Sequence, residues 1–308
     1  MGEVLHDLIF DYTLRNVALG SALLGIVSGV LGSFAVLRRQ GLLGDTLSHA
    51  ALPGICIAFL LTGSKESLVL LIGAAVAGWI GSLLMIWVVR ETVLSEDAAL
   101  GIVLSTFFGL GIVLLSLIQQ RNDANQAGID RYLFGQAAAL VQENVITYAI
   151  LGGAALLILL LLYKELKLFT FDPTFGNTIG FNSTLINILM TTLLVIAIAI
   201  GLQTVGVVLM AAMIIGPGAA ARQWTNRLGI MLLLGGLFGA ASGIIGAVLS
   251  VTISGLPTGP MIILALTAIV LISVLFGSAQ GILRDWNQQR QNRRELAAPT
   301  FDVEEVSP

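Results

Sequence analysis

The sequence predicts an all-α polytopic membrane protein with eight or nine transmembrane helices. Three observations support this fold class: 56% of the 308 residues are hydrophobic, only 11% are charged, and the apolar residues fall in long uninterrupted runs. A soluble domain carries about 25% charged residues, so this chain has too few charges to cover a globule with water-compatible side chains. Its 35 glycines against 7 prolines suit closely packed membrane helices.

An apolar helix needs roughly 20 residues to cross a hydrocarbon core about 30 Å thick. Three of the candidate runs leave the count open between eight and nine, because 184–202 and 205–221 could form one bent helix and 46–62 begins with polar residues. The spans predicted in chain order are 16–37, 46–62, 68–89, 98–118, 144–163, 184–202, 205–221, 228–251 and 259–281.

The distribution of basic residues predicts the orientation of these spans, because short cytoplasmic loops carry an excess of Lys and Arg. With nine spans and the N-terminus outside, 11 of the 15 basic residues fall on the cytoplasmic side. The four left outside are Arg15, Lys65, Arg121 and Arg131. We therefore expect one transmembrane domain over 1–283, with a cytoplasmic loop at 164–183 and a polar cytoplasmic tail at 284–308.

Several function classes are excluded by residues that the chain lacks. A net charge of -3 is not that of a basic nucleic-acid binder. The sequence contains no GxxxxGK[ST] phosphate loop, no HExxH pair and no GxSxG nucleophile motif, which removes P-loop ATP hydrolysis and two common hydrolase layouts. We expect a protein that is not itself an enzyme.

Asp45 and His49 are the strongest candidates for a functional site. They are four residues apart, which places both side chains on one face of a helix about 6 Å apart along its axis. An ionisable residue within a span costs several kcal/mol and usually faces a bundle interior or a wet pathway. A carboxylate and an imidazole suit manganese, iron(II) or zinc. The alternative is structural, with Asp45 as a helix N-cap and His49 as a satisfied interior histidine.

A short helix is predicted within the cytoplasmic loop 164–183. Asp172 followed by Pro173 is a helix-start signal, and Gly180 supplies a stop, so a helix of about two turns is expected. Phe175 and Ile179 would share one face and could fill a groove on a partner protein. The alternative is a connecting loop with interfacial aromatic residues.

Four fragments together resemble the permease subunit of bacterial ABC importers for manganese, zinc and iron, a family with a type II, vitamin-B12-importer-like fold. The fragments are GDTLSHAALPG, FDPTFGNTIGFN, QTVGVVLMAAMIIGPGAAARQ and GLPTGP, and the resemblance covers roughly residues 10–283. It implies a plasma-membrane homodimer, two cytoplasmic ATPase subunits and an extracytoplasmic metal-binding protein that delivers the ion.

The resemblance also implies roles for individual residues. The family's pathway aspartate and histidine match Asp45 and His49, and the proline in SHAALPG favours manganese or iron over zinc. The metal is cargo, and no permanently bound cofactor is implied. The helix that seats in the ATPase corresponds to Asp172, Pro173, Phe175, Gly176, Ile179 and Gly180.

Other readings of the sequence remain open. A membrane-embedded Asp/His pair would also serve a proton- or ion-coupled secondary transporter of a cation, although the two halves show no convincing internal repeat. Gln203 could line a pathway or only support tight helix packing. The glycines between 235 and 246 indicate packing inside the protomer.

Overall fold

The computed structural model describes residues 11–64, 66–120, 135, 137, 140–252, 256–284, 286 and 289, and within them the chain is all-helical. Most of the predicted tail 284–308 and the polar outer segment 119–131 lie outside these residues. The helices are α1 (Tyr12–Leu37), α2 (Leu43–Thr62), α3 (Ser67–Glu91), α4 (Glu96–Gln120), α5 (Gln142–Leu161), α6 (Tyr163–Phe171), α7 (Pro173–Thr178), α8 (Ser183–Thr204), α9 (Val207–Trp224), α10 (Leu228–Thr252) and α11 (Thr258–Phe276).

Nine of these helices, all except α6 and α7, have the length and apolar composition needed to cross a membrane in the described part of the chain. The prediction of an all-α polytopic fold is therefore confirmed, with nine spans rather than eight. The run 184–221 does not form one bent helix, because α8 ends at Thr204 and Gly206 adopts a φ of 91° at the reversal into α9. A positive φ is readily accessible to glycine, which has no Cβ.

The structure refines the last predicted span and the predicted loop. The last span ends at Phe276 rather than at residue 281, and Ala279 and Gln280 instead donate backbone hydrogen bonds to the carbonyl of Gln223 at the end of α9. The predicted loop 164–183 is largely helical, because α6 precedes the short helix α7. Leu166 and Phe169, three residues apart, bury one face of α6 and give it the tertiary support that a nine-residue helix needs.

The centre of the bundle is formed by α1, α2 and α8. In the most apolar stretch of α1 and of α2, 72% of the residues are buried, against 22% in α4 and in α5. The exposed apolar side chains of α4 and α5 are those expected for helices that face lipid or another subunit. Within this arrangement α2 packs mainly against α3 and the peripheral helix α4, with further contacts to α9 and α8.

Small residues hold α1 against α10 and α9. A Cβ on Gly25 would lie 2.1 Å from the carbonyl oxygen of Gly239, and a Cβ on Gly29 would lie 2.2 Å from that of Gly235. A Cβ on Gly32 would lie 1.7 Å from the carbonyl oxygen of Ile214 in α9. The prediction that the glycines of 235–246 pack inside the protomer is confirmed by these approaches, which let backbones meet without intervening side chains.

Candidate metal site and coupling segment

The first two turns of α2 bring Asp45 and His49 into direct contact. Asp45 is the third residue of the helix and His49 follows one turn later. Asp45 Oδ1 lies 3.3 Å from His49 Nε2, a contact that is an ion pair when the imidazole is protonated. The prediction that the two side chains share one face of a helix is confirmed.

The capping alternative for Asp45 does not fit this geometry. Leu42 is the N-cap of α2, and no side chain caps the helix there. The carboxylate in the first turn still interacts favourably with the positive end of the helix dipole. Its side chain is 35% exposed, whereas that of His49 is 14% exposed, so the pair lies at a boundary between the protein interior and an open face.

His49 does not have the environment of a satisfied interior histidine. Its ring meets the ring of Phe108 in α4 edge to face, with centroids 4.6 Å apart and an interplanar angle of 72°. Nδ1 is buried and has no hydrogen-bond partner among the described residues. Buried polar atoms in a purely structural role are almost always paired, so the unpaired Nδ1 argues against a purely structural role for His49.

The hydroxyls beside the pair are engaged within the protomer. Ser48 Oγ donates to the carbonyl of Gly44 at 2.6 Å, and Thr46 Oγ1 donates to the carbonyl of Leu100 at 3.4 Å, which ties α2 to α4. Both hydroxyl groups are therefore directed toward backbone carbonyls of the protomer.

The contact distance between Asp45 and His49 suits two ligands of one small cation. Metal–nitrogen and metal–oxygen bonds of about 2.1 Å place neighbouring ligand atoms roughly 3.0–3.4 Å apart in octahedral or tetrahedral geometry. Within the described ranges, His, Cys, Asp and Glu form no group of three that could hold a metal ion. A site built from the two candidate ligands Asp45 and His49 would bind an ion less tightly than a closed structural site with four ligands.

The predicted coupling segment forms the short helix α7. Asp172 is its N-cap, accepting hydrogen bonds from the Phe175 N–H and from Thr174 Oγ1, both at 2.9 Å. These two bonds hold the pKa of Asp172 below its ordinary value. Pro173 occupies the first turn, and Gly180 follows the helix at a φ of 93°. The start and stop signals are confirmed, and the six residues of α7 form the expected helix of about two turns.

The outer face of α7 is apolar and unusually exposed. Phe175 is 52% exposed and Ile179, at the C-cap, is 50% exposed. On the opposite side Gly176 is buried against Phe169 of α6, where an added Cβ would lie 2.7 Å from the ring. The ring of Phe169 also meets that of Phe181 edge to face at 6.4 Å. Sequence reasoning missed Phe169, although its i, i+3 spacing from Leu166 marks the buried face of α6.

Gln203 has a structural environment at the far end of α8. Its side chain bonds Ser67 of α3, with Oε1 accepting from Ser67 Oγ at 2.9 Å, and Oε1 also accepts from Tyr148 of α5 at 3.0 Å. Thr204 Oγ1 donates to Tyr148 at 3.3 Å. Of the two interpretations of Gln203, these bonds to α3 and α5 favour helix packing.

Comparison with known proteins identifies the family. Residues 10–277 match the ABC 3 transport family. The chain belongs to this family. The family and the fold class predicted from the four sequence fragments are therefore confirmed, and the chain is a multi-pass protein of the bacterial plasma membrane.

Individual relatives cover almost the whole chain. The zinc transport system membrane protein TroC of Treponema pallidum is 47% identical over 289 residues, 94% of this chain and 97% of TroC. The manganese transport system membrane protein MntC of Bacillus subtilis is 45% identical over 91% of this chain, which spans 65% of that longer protein. Among solved structures, PsaBC from Streptococcus pneumoniae in complex with Fab aligns at a TM-score of 0.80 and 29% identity, covering 93% of this chain and 99% of that one.

Proposed function

We propose that this chain is the permease subunit of an ATP-driven importer of divalent transition-metal ions, with manganese first and iron or zinc as further substrates. The observation that carries the proposal is the contact of Asp45 with His49 at the edge of the bundle. Relatives named for zinc and for manganese transport support the substrate class. Manganese is placed first because a proline at the position of Pro53, in SHAALPG, is similar to the sequence of manganese and iron importers rather than zinc importers.

The ligand chemistry supports release as well as binding. One carboxylate oxygen and one imidazole nitrogen, without a thiolate, suit manganese, iron(II) or zinc rather than copper(I). A pathway site must bind an ion strongly enough to admit it and weakly enough to let it leave. Two ligands per protomer meet this requirement, and a second permease copy facing the first would bring the total to four.

Energy is supplied from outside the chain in this proposal. The sequence carries no phosphate loop, so ATP is hydrolysed by partner subunits and the permease itself is not an enzyme. The exposed Phe175 and Ile179 of α7 fit a groove on the ATPase. Closure of the ATPase pair would move α7 and rock two permease copies, exposing the Asp45/His49 site to each side in turn. An extracytoplasmic metal-binding protein would deliver the ion.

Reconstitution in lipid vesicles tests the proposal. The chain is incorporated with its partner ATPase, the delivery protein is added on the outer face, and radioactive manganese uptake is measured with ATP or with a proton gradient. We expect uptake that requires ATP and both partners. Uptake by the chain alone, driven by a gradient, would instead establish a secondary transporter. Competition with zinc and iron(II) in the same vesicles ranks the three substrates.

A further inference from the structure

A hydrogen bond between Arg38 and Asn187 joins the turn before α2 to the helix that follows the coupling segment. Arg38 Nη2 donates to Asn187 Oδ1, and the two residues are 149 positions apart in the chain. Hydrogen bonds from a guanidinium are stronger and more directional than those between neutral groups. α8 also packs against α1 and α2, but apolar contacts can slide, whereas this bond fixes a register.

On one side of the bond, Arg38 belongs to a short turn that leads directly to the metal-site helix. Arg38 is the C-cap of α1, Gln40 N–H donates to the carbonyl of Ala35, and Leu43 N–H donates to that of Gln40. Arg39 has a φ of 59°, the one positive φ of a non-glycine residue among those described. Such a conformation persists only where the surrounding contacts enforce it, so the turn transmits displacement to Asp45 rather than absorbing it.

On the other side, Asn187 lies one turn inside α8, which is connected to α7 by four residues. Phe181 N–H donates to the carbonyl of Gly176, which folds this connector onto α7. Asn182 is the N-cap of α8 and accepts from the N–H groups of Thr184 and Leu185. The connector is thus hydrogen-bonded at both ends, and a shift of α7 moves the first turns of α8 with it.

The surroundings of the bond give the two bonded side chains room to move together. Gln40 Nε2 donates to Glu96 Oε2 at 3.3 Å at the start of α4, and a cavity of about 190 Å³ opens beside Arg38 and Asn187. Burial lowers the pKa of Arg38 while Glu96 raises it, as expected for a guanidinium with one nearby carboxylate. With this void beside them, Arg38 and Asn187 can move together without displacing packed side chains.

We propose that Arg38 and Asn187 are positioning residues that transmit the movement of α7 to the Asp45/His49 site. The inference rests on the proposed function, since it assigns the route by which ATP hydrolysis outside the chain reaches the metal pathway. α7 moves α8, Asn187 carries Arg38 with it, and the rigid turn after Arg38 reorients the first turns of α2.

The test compares transport with ATP hydrolysis in the reconstituted complex. In Asn187→Ala we expect assembly with the ATPase and ATP hydrolysis to persist, while manganese uptake per ATP falls about tenfold, the size expected for loss of one hydrogen bond to a charged group. Asn187→Asp keeps an acceptor for the guanidinium and is expected to restore the ratio. Thr192→Ala is the matched control, because it removes the bond from Trp79 Nε1 to Thr192, a side-chain link between α3 and α8.

The variants test the Arg38–Asn187 link, whereas uptake by the wild-type complex tests the proposed function. An unchanged ratio in Asn187→Ala, a ratio that Asn187→Asp fails to restore, or an equal loss in Thr192→Ala would overturn the link while wild-type uptake still supported the importer. If the alanine variant does not assemble, Arg38→Lys keeps the charge, and the same fall in uptake per ATP is expected with normal thermal stability. A normal ratio in Arg38→Lys would then overturn the proposal.

Discussion

Asp45 Oδ1 and His49 Nε2 lie 3.3 Å apart on the first two turns of α2, in a helix whose N-cap is Leu42 and not the aspartate. The carboxylate is therefore free of the capping role that would otherwise explain an acidic residue at a helix start. The imidazole packs against Phe108 with its Nδ1 unpaired among the described residues. Phe108 packs against the imidazole and Asp45 contacts it, and in the proposed function the carboxylate oxygen and the imidazole nitrogen would exchange this mutual contact for a cation.

Substitution at this pair should abolish transport without disturbing assembly. Asp45→Ala and His49→Ala would each remove one of the two proposed ligands, and we expect manganese uptake to fall by more than about tenfold, since even an outer-shell change at a metal site costs about 10–100-fold in affinity or activity. Ser48→Ala, which removes a hydroxyl bonded to its own helix, is the matched control and should transport normally. Wild-type uptake in both ligand variants would remove Asp45 and His49 from the pathway.

Local signals in the sequence predicted the elements that depend on neighbouring residues. The spacing of Asp45 and His49 and the Asp172–Pro173 start signal each act within one helical turn. The bond from Arg38 to Asn187 joins positions 149 apart, so no local sequence pattern could predict it. The spans are apolar on every side, so periodicity could not show which faces of α3 and α4 are buried. Packing by the glycines of 235–246 could be predicted because only small residues permit such close approaches.

The N-cap of α7 predicts a pH-dependent local stability. The hydrogen bonds from Phe175 and Thr174 depress the pKa of Asp172, so the cap is fully effective above the ordinary aspartate pKa of about 3.9 and is lost as the pH falls through the lower folded value. Hydrogen exchange, corrected for its intrinsic pH dependence, should show protection of 173–178 fading in that range.

Two substitutions at Asp172 distinguish titration of this cap from other effects of low pH on α7. Asp172→Asn keeps a good N-cap without a titrating carboxyl, so protection of 173–178 should no longer change with pH. Asp172→Ala should lower protection at every pH. A pH dependence that survives in Asp172→Asn would assign the effect to another group.

The exposed face of α7 predicts the contact with the ATPase. Phe175→Asp places a charge on a side chain that is 52% exposed and that would be desolvated in a partner groove. We expect co-purification of the ATPase to be lost while the thermal stability of the permease is unchanged. Asn226→Asp adds the same charge to the exposed turn between α9 and α10 and should leave the complex intact. Retention of the ATPase by Phe175→Asp would place the contact elsewhere.

The close approach of α1 and α10 predicts an asymmetric response to adding one methyl group. In Gly25→Ala the new Cβ would meet the Gly239 carbonyl oxygen at 2.1 Å, so the helices must separate, and overpacking of this kind costs about 1–3 kcal/mol. In Gly153→Ala, on the exposed face of α5, the new Cβ meets nothing within 4 Å, and alanine should preserve or raise stability because it favours helix more than glycine does. Thermal unfolding of both variants in detergent measures the difference. Equal melting temperatures would show that α1 and α10 can move apart without loss of stability. The close contact between α1 and α10 would then not be what holds the bundle together.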